Sequence, residues 1–350
     1  MLRIGIIGAG VISRSHLTAA KTVPDAAIVK ICDRNLEQAK LRAEEFGVSD
    51  YCSDHKEILN DPTIDAVIVA TPLFTHASLV KEALLSGKHV LCEKPPMMTW
   101  QEAKENEELA KKVGKLLTYG FVVRFRAVSR FIKDAVDVHK LGNIYYAELS
   151  SVMQCNNIEG WFRDKERAGG GALIDSAIHQ LDLLLYMMGY PKVKSVRGFT
   201  TNVNSDLPDR VKGLKNFYSA VNAETIPRTI ESFASGYVTF EGGKHLFIKT
   251  GHIVNSSAPD GYELVGDKGG IRVDGNGVKL ITIDETGYLM ESNPTITDDT
   301  YIFQLQLQHF TDACAGKVPC HCPAEHGTQI MQIINAIYQS AEEDREILFD

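Results

Sequence analysis

Leu2-Arg3-Ile4-Gly5-Ile6-Ile7-Gly8-Ala9-Gly10-Val11-Ile12-Ser13 is the stretch on which the fold turns. Its first six residues are a short, mostly apolar run, and a G-x-G-x-x-G pattern with Ser in the last place comes directly after them. The first glycine, Gly8, permits a tight turn, and the second, Gly10, lets backbone come close to a pyrophosphate. The third place needs only a small residue for helix–strand packing, which Ser13 is. A helix running on from Val11 and Ile12 would aim its N-terminal N–H groups and the positive end of its dipole at the phosphates. Alone, a glycine-rich turn is weak evidence, so the reading depends on the next hundred residues.

Those residues alternate between strand and helix patterns. Ala27–Cys32 is a second apolar run, and it ends in Asp33, 20 residues past Ser13. A carboxylate at the tip of a second strand is placed to accept hydrogen bonds from the adenosine ribose hydroxyls, and it repels a 2′-phosphate, so NAD is favoured over NADP. Arg34 keeps NADP open, because a guanidinium can hold that phosphate or stack on adenine. Asn35–Phe46 reads as a helix closed by Gly47, and Asp54 with Glu57 as a capping box for a short one. Ile64–Ala70 is a strand ending in Thr71-Pro72, His76 opens a helix that Gly87 closes, and Lys88–Cys92 is a strand running into Glu93-Lys94-Pro95-Pro96. Thr99 and Glu102 cap a helix ending near Gly114, and Lys115–Phe121 is one more strand. Unbroken apolar strands each followed by a helix imply a parallel sheet covered on both faces, a Rossmann domain. Ligands of such sheets bind outside the carboxyl ends of the strands. The glycine loop, Thr71-Pro72 and Glu93-Lys94-Pro95 should therefore border one cleft.

The whole chain has 350 residues, 44% hydrophobic and 23% charged, which suits two soluble domains with ample cores. A net charge of −8 argues against a nucleic-acid binder, which needs a basic face. The seven cysteines are scattered. They read as small buried apolar residues, with Cys32, Cys52 and Cys92 in or beside strands, and Cys320-x-Cys322 lacks the second pair that a zinc site needs. No metal is expected, and a reducing, cytoplasmic compartment fits this usage best. No leader is expected, since Leu2–Ile7 is needed as a strand, and no apolar run reaches membrane-spanning length.

Several of these residues resemble the Gfo/Idh/MocA family, the group of glucose–fructose oxidoreductase and inositol 2-dehydrogenase. The likeness is carried by the glycine fingerprint, Asp33, Ala70-Thr71-Pro72 with His76, and Gly87-Lys88-His89-Val90-Leu91-Cys92-Glu93-Lys94-Pro95. It continues through Gly169-Gly170-Gly171-Ala172-Leu173-Ile174-Asp175-Ser176-Ala177-Ile178-His179-Gln180-Leu181-Asp182, Trp161, Gly189 and Glu325-His326-Gly327. It implies an α/β chain: residues 1–122 as the Rossmann dinucleotide-binding domain, and 123–350 as an α+β substrate-binding and oligomerisation domain. The second part would carry a large, mostly antiparallel open sheet through which a homodimer or homotetramer forms. The sequence from 190 onward agrees. Tyr237–Phe240, Glu241-Gly242-Gly243 and His245–Thr250 read as a hairpin, and Asp267–Gly270 and Asp274–Gly277 as further turns.

The dinucleotide is expected at Gly8, Gly10, Val11, Ile12, Asp33, Arg34, Thr71, Pro72, His76, Glu93 and Lys94. Hydride transfer also needs one group to exchange the hydroxyl proton of the substrate. Lys94, just past a parallel strand, suits proton exchange or polarisation of an oxygen. Asp175 and His179 lie four apart on a helix expected from about Leu173 to Met188, which puts them on one face, with Asp182 falling on it too. His179 is the better proton exchanger because its ordinary pKa is near neutrality. Lys94 would then hold the hydroxyl oxygen and Asp175 position both. Arg124 and Trp161 are further candidate substrate contacts; near Val122 the family often has a polar residue, and here it is apolar. The function expected is an NAD(P)-dependent dehydrogenase or reductase of a sugar, cyclitol or related polyol. A redox-assisted, NAD-dependent glycosidase is the alternative, and a dinucleotide-sensing regulator a more distant one. The other histidines, His16 and His252 among them, show no informative spacing.

Overall fold

The computed structural model describes residues 1–350 apart from 154–155, 204–214, 217–226, 253, 257–259, 299 and 350. Residue contacts divide the chain into two units, Met1–Phe125 with Asp299–Met331, and Arg126–Asp298 with Gln332–Asp350. The single division after residue 122 expected from sequence has no place for the segment 299–331, in which the chain returns to the first unit. Gly327 shows one reason for the return: a Cβ there would lie 2.1 Å from the Tyr119 ring, so only glycine lets this segment pack so closely.

The first unit is the Rossmann fold. Strands β1 (Leu2–Ile7), β2 (Ala26–Cys32), β3 (Asp50–Cys52), β4 (Ala66–Val69), β5 (His89–Cys92) and β6 (Leu117–Tyr119) form one sheet in the order β3-β2-β1-β4-β5-β6. Every pairing in it is parallel. That is the doubly wound order, with its switch of direction between β1 and β4. The helices between them are α1 (Val11–Ala20), α2 (Leu36–Phe46), α3 (Lys56–Leu59), α4 (His76–Leu85) and α5 (Trp100–Val113). Local chemistry sets their ends. Asn35 caps α2, Gly47 closes it at φ +74°, and Thr99 and Glu102 form a reciprocal capping box on α5. The Asp54–Glu57 box does not form. Asp54 accepts instead from Lys56 N at 2.9 Å, and Glu57 lies 3.8 Å from Lys30 of β2. Ile4, Ile6, Ile31, Ile68 and Leu91 are buried in the core between sheet and helices.

The second unit begins with α6 (Ala127–Asp137) and β7 (Ile144–Val152), then the short strand β8 (Asn156–Asn157) and α7 (Lys165–Ala168). A π turn, Leu173–Ala177, runs into α8 (Ile178–Met188). Strands β9 (Val193–Thr201), β10 (Lys215–Asn216), β11 (Phe233–Phe240), β12 (His245–Gly251), β13 (Gly261–Gly266), β14 (Gly269–Asp274), β15 (Gly277–Ile283) and β16 (Leu289–Ser292) come next. After α9 (Ile302–Cys314) and α10 (Ala324–Glu343), the chain ends in β17 (Ile347–Leu348). Nine strands make one sheet in the order β16-β15-β14-β13-β7-β12-β11-β9-β17. It is antiparallel except where β12 runs parallel to β7. The hairpin read at Glu241-Gly242-Gly243 joins β11 to β12, and the turns at 267–268 and 275–276 join β13 to β14 and β14 to β15. Val238, Leu246, Ile248 and Leu264 point inward, fully buried. Among the described residues no helix is long and apolar enough to cross a membrane. Cys32, Cys52, Cys92 and Cys322 are buried, as expected, whereas Cys314 and Cys320 are only half-buried; Cys155 lies outside the described residues.

Candidate active site

The dinucleotide end of the first unit is built around the glycine loop. Gly8 has φ +104°, and a Cβ on it would stand 2.3 Å from the Ala70 carbonyl oxygen, so glycine alone fits where the loop crosses the end of β4. Gly10 has nothing within 4 Å of where a Cβ would be. It precedes α1 with no side-chain cap, and no acidic residue lies in the first turn of that helix. The first N–H groups of α1 therefore lack internal acceptors, which is the donor set a pyrophosphate takes. Ser13 donates to the Gly10 carbonyl at 2.7 Å. From α2, the buried Arg42 donates to the Ala9 and Gly10 carbonyls at 3.1 and 3.3 Å, and Gln38 to Ala9 O at 3.3 Å. These two side chains tie the loop carbonyls back. Neither was legible as part of the site, because they are 29 and 33 residues from Ala9 with no motif of their own.

Asp33 stands beside that loop. Its two carboxylate oxygens accept from Ala9 N and Asn35 N, each at 2.9 Å, which orients the group and leaves each oxygen a second lone pair for a ribose hydroxyl. Val11 is 78% exposed, Arg34 is exposed and Ile12 half-buried. Donors without acceptors, an oriented carboxylate and an exposed apolar residue together fit a dinucleotide.

At the end of β5, Glu93 is buried and Lys94 half-buried. Glu93 Oε1 lies 2.6 Å from Nε2 of His16, a fully buried residue of α1, and Glu93 Oε2 accepts from Lys94 N at 3.2 Å. Gly120 makes the room, since a Cβ there would meet the Glu93 carboxylate at 2.8 Å. Thr71 and Pro72 are half-buried. His76, expected to border the cofactor, is 1% exposed, with Nδ1 2.9 Å from Pro95 O and Nε2 2.8 Å from Thr71 O. Burial lowers its pKa although both nitrogens face carbonyl oxygens. Its observed position is a bracket between the loops after β4 and β5.

In the second unit, Gly169–Gly171 leads into the π turn. A Cβ at Gly170 would lie 2.0 Å from Tyr338 Oη, and one at Gly171 would lie 2.4 Å from Glu231 O. The Glu231 carboxylate, buried and with its pKa raised by that burial, accepts from Gly171 N at 2.6 Å, Leu173 N at 3.1 Å and Tyr338 Oη at 3.0 Å. Leu173, Ile174, Ala177, Ile178 and Leu181 are buried, whereas Asp175, Ser176, His179 and Gln180 are half-buried. The two sets alternate with a helical period, so Asp175 and His179 share the side not used for packing. Asp182, expected on that side, is instead fully buried and accepts from Tyr190 Oη at 2.7 Å. The wider π turn shifts the phase of everything after it, which a uniform helical spacing cannot foresee.

Arg124 is buried within the first unit. Its guanidinium donates to the His321 carbonyl, approaches His326 Nδ1 at 3.3 Å and lies 5.9 Å from the Phe121 ring centroid. It ties down the segment 321–326. Beside it His326 and His309 are held neutral, their pKa values lowered to about 3 and about 4, first by burial and then by neighbouring charge. Trp161, in the second unit, is half-buried and stacks on Phe162 with ring centroids 3.8 Å apart.

Comparison with known proteins agrees with this architecture. Residues 2–121 match the family model described as an oxidoreductase family with an NAD-binding Rossmann fold, and residues 133–348 match the C-terminal alpha/beta domain of the same family. The chain is 33% identical to D-glucoside 3-dehydrogenase of Escherichia coli over 353 aligned residues, covering 97% of this chain and 95% of that one. It is 27% identical to scyllo-inositol 2-dehydrogenase (NAD(+)) of Bacillus subtilis, covering 91% and 88%. The fold is similar to that of a levoglucosan dehydrogenase solved with NADH, with a TM-score of 0.83 at 20% identity over 100% of this chain and 99% of the other. This chain is an NAD-binding oxidoreductase and belongs to the Gfo/Idh/MocA family.

Proposed function

We propose that the enzyme oxidises a secondary hydroxyl of a sugar, cyclitol or related polyol, or reduces the matching carbonyl, with Lys94, Asp175 and His179 acting on the substrate. The observation that carries this reading is the placement of Asp175 and His179 together on the unpacked side of their turn, above a backbone that Glu231 holds. The relatives named above act, by their names, on a glucoside and on an inositol, which supports a polyhydroxylated substrate. Bound NAD supplies the hydride acceptor. His179 takes the hydroxyl proton, Lys94 holds the oxygen from which it leaves, and Asp175 positions both. In this reading the first unit, Met1–Phe125 with Asp299–Met331, serves the dinucleotide and the second unit the substrate. Trp161 walls the substrate, and Arg124 acts through the segment it ties down. The large sheet is the proposed seat of a homodimer or homotetramer, because Phe199, Tyr237 and Phe247 are exposed on one of its faces. A cytoplasmic location goes with this reading.

A panel of sugars, glucosides and inositols with NAD and NADP, followed by reduced-nicotinamide absorbance, tests it. At least one polyol is expected to turn over with NAD, and Lys94→Ala is expected to lower kcat by about 1,000-fold. Full turnover in Lys94→Ala would refute the site. NAD retained without net reduction, during cleavage of a glycoside, would replace the dehydrogenase with the redox-assisted glycosidase.

A further inference from the structure

We infer that His252 is a positioning residue that holds the Asp175 carboxylate in its working orientation; the inference rests on the proposed role of Asp175. His252 directly follows β12, far from Asp175 in sequence, and its side chain is wholly buried. Its Nε2 lies 2.8 Å from Ser176 Oγ and 3.7 Å from Asp175 Oδ2. Thr250, two residues earlier, shares its single Oγ1 proton between the Ser151 carbonyl at 2.9 Å and the Ala172 carbonyl at 3.3 Å. The end of β12 thus grips the π turn on both sides of Asp175.

The chemistry of the contact selects one form of the ring. An ionised carboxylate only accepts, so a bare lone pair on Nε2 turned toward it would be repelled, whereas an N–H is attracted. With the proton on Nε2, the ring donates to Ser176 Oγ and presents the same N–H dipole to Asp175. At 3.7 Å that second contact is electrostatic rather than a hydrogen bond, and the low dielectric around a buried ring makes it matter. The Asp175 side chain is only 13% exposed, so water competes little for it. A ring serving merely to fill the end of the sheet would have no such dependence on its nitrogen.

The test uses the full chain labelled with 15N-histidine, with His252→Gln assigning the ring signals. His252 is expected to be protonated on Nε2, and its signal to move in Asp175→Asn. A proton on Nδ1, or no response to Asp175→Asn, would overturn the inference. With a polyol from the panel that is turned over, His252→Leu is expected to lower kcat/KM about tenfold, while NADH affinity by fluorescence stays within about twofold. His252→Gln, which keeps an amide near the Nε2 position, is expected to recover most of that loss. Equal activity of the two variants would also overturn it, and if the leucine variant does not fold, the glutamine variant and the spectrum decide. Asp175→Asn with undiminished turnover would instead refute the catalytic role of Asp175, while the ring signal would still report the contact.

Discussion

Lys94 and Asp175 are both backed by a buried histidine, and the two supports act on different parts of their residues. In the first unit, His16 meets Glu93, and Glu93 accepts from the backbone N–H of Lys94. In the second, Glu231 holds the backbone at Gly171 and Leu173, and His252 addresses the carboxylate of Asp175 itself. The difference arises from side-chain length. A lysine carries its ammonium on a flexible four-carbon stem, so fixing its root is enough to bring the charge within reach. An aspartate has one methylene, and its oxygens are useful only if they are aimed.

The comparison is sharpest where a support is removed. His16→Leu leaves the Glu93 carboxylate buried without its partner, and a loss of about 3 kcal/mol in denaturant unfolding is expected. His252→Leu is expected to cost only about 1 kcal/mol, since it removes one net hydrogen bond to a half-buried serine. The reverse order would break the comparison. Glu231→Gln comes next. Each backbone donor meets a different carboxylate oxygen, and the NH2 that replaces one of them would face an N–H it cannot accept from, so about 2 kcal/mol is expected to go, with kcat/KM falling and NADH affinity unchanged. Weakened NADH binding in that variant would show that the effect of the grip is not confined to the second unit.

Asp33→Ala tests the other side. It is expected to raise the KM for NAD about tenfold with kcat nearly unchanged, because a ribose contact binds ground state and transition state alike, and to narrow the preference over NADP. A fall in kcat with KM unaltered would assign Asp33 to the chemical step.

Acid separates the two units more gently. His326 and His309 have folded pKa values lowered to about 3 and about 4, so between the unfolded value near 6.5 and those values the unfolded chain binds protons that the folded unit does not. Stability of the first unit is therefore full above about pH 6.5 and falls toward pH 4, by something on the order of 1 kcal/mol per histidine after allowing for partial exposure. Glu231 acts in the opposite sense. Its folded pKa is raised by burial, so the penalty of its charge is relieved as pH falls. After correction for the intrinsic exchange rate, which itself slows in acid, amide protection is expected to fall between pH 7 and pH 4 at β1 and β4 before β7 and β12. Equal losses of protection would contradict it.

The Rossmann unit was largely legible because its signals are local. Apolar runs, Gly47, the Thr99–Glu102 box and the spacing from Ser13 to Asp33 all lie within a few turns of the features they specify. Lys94, Asp175 and His179, proposed to act on the substrate, also sit in short motifs. Their supports were not legible. His16 and Glu93 are 77 residues apart, Ser176 and His252 are 76, and Gly171 and Glu231 are 60. A contact closed by tertiary packing leaves no period in one sequence. Asp182 was misplaced for a related reason, since the i, i+7 rule assumes a regular helix and the π turn interrupts it.

A double-mutant cycle of Lys94→Ala and His179→Ala, read as kcat/KM on a polyol that the wild type oxidises, tests most directly whether residues from the two units serve one step. The account predicts that each single change costs at least about 100-fold and that the double variant falls little below the worse single one. Losses that multiply in full, or a Lys94→Ala enzyme working at the wild-type rate, would contradict it.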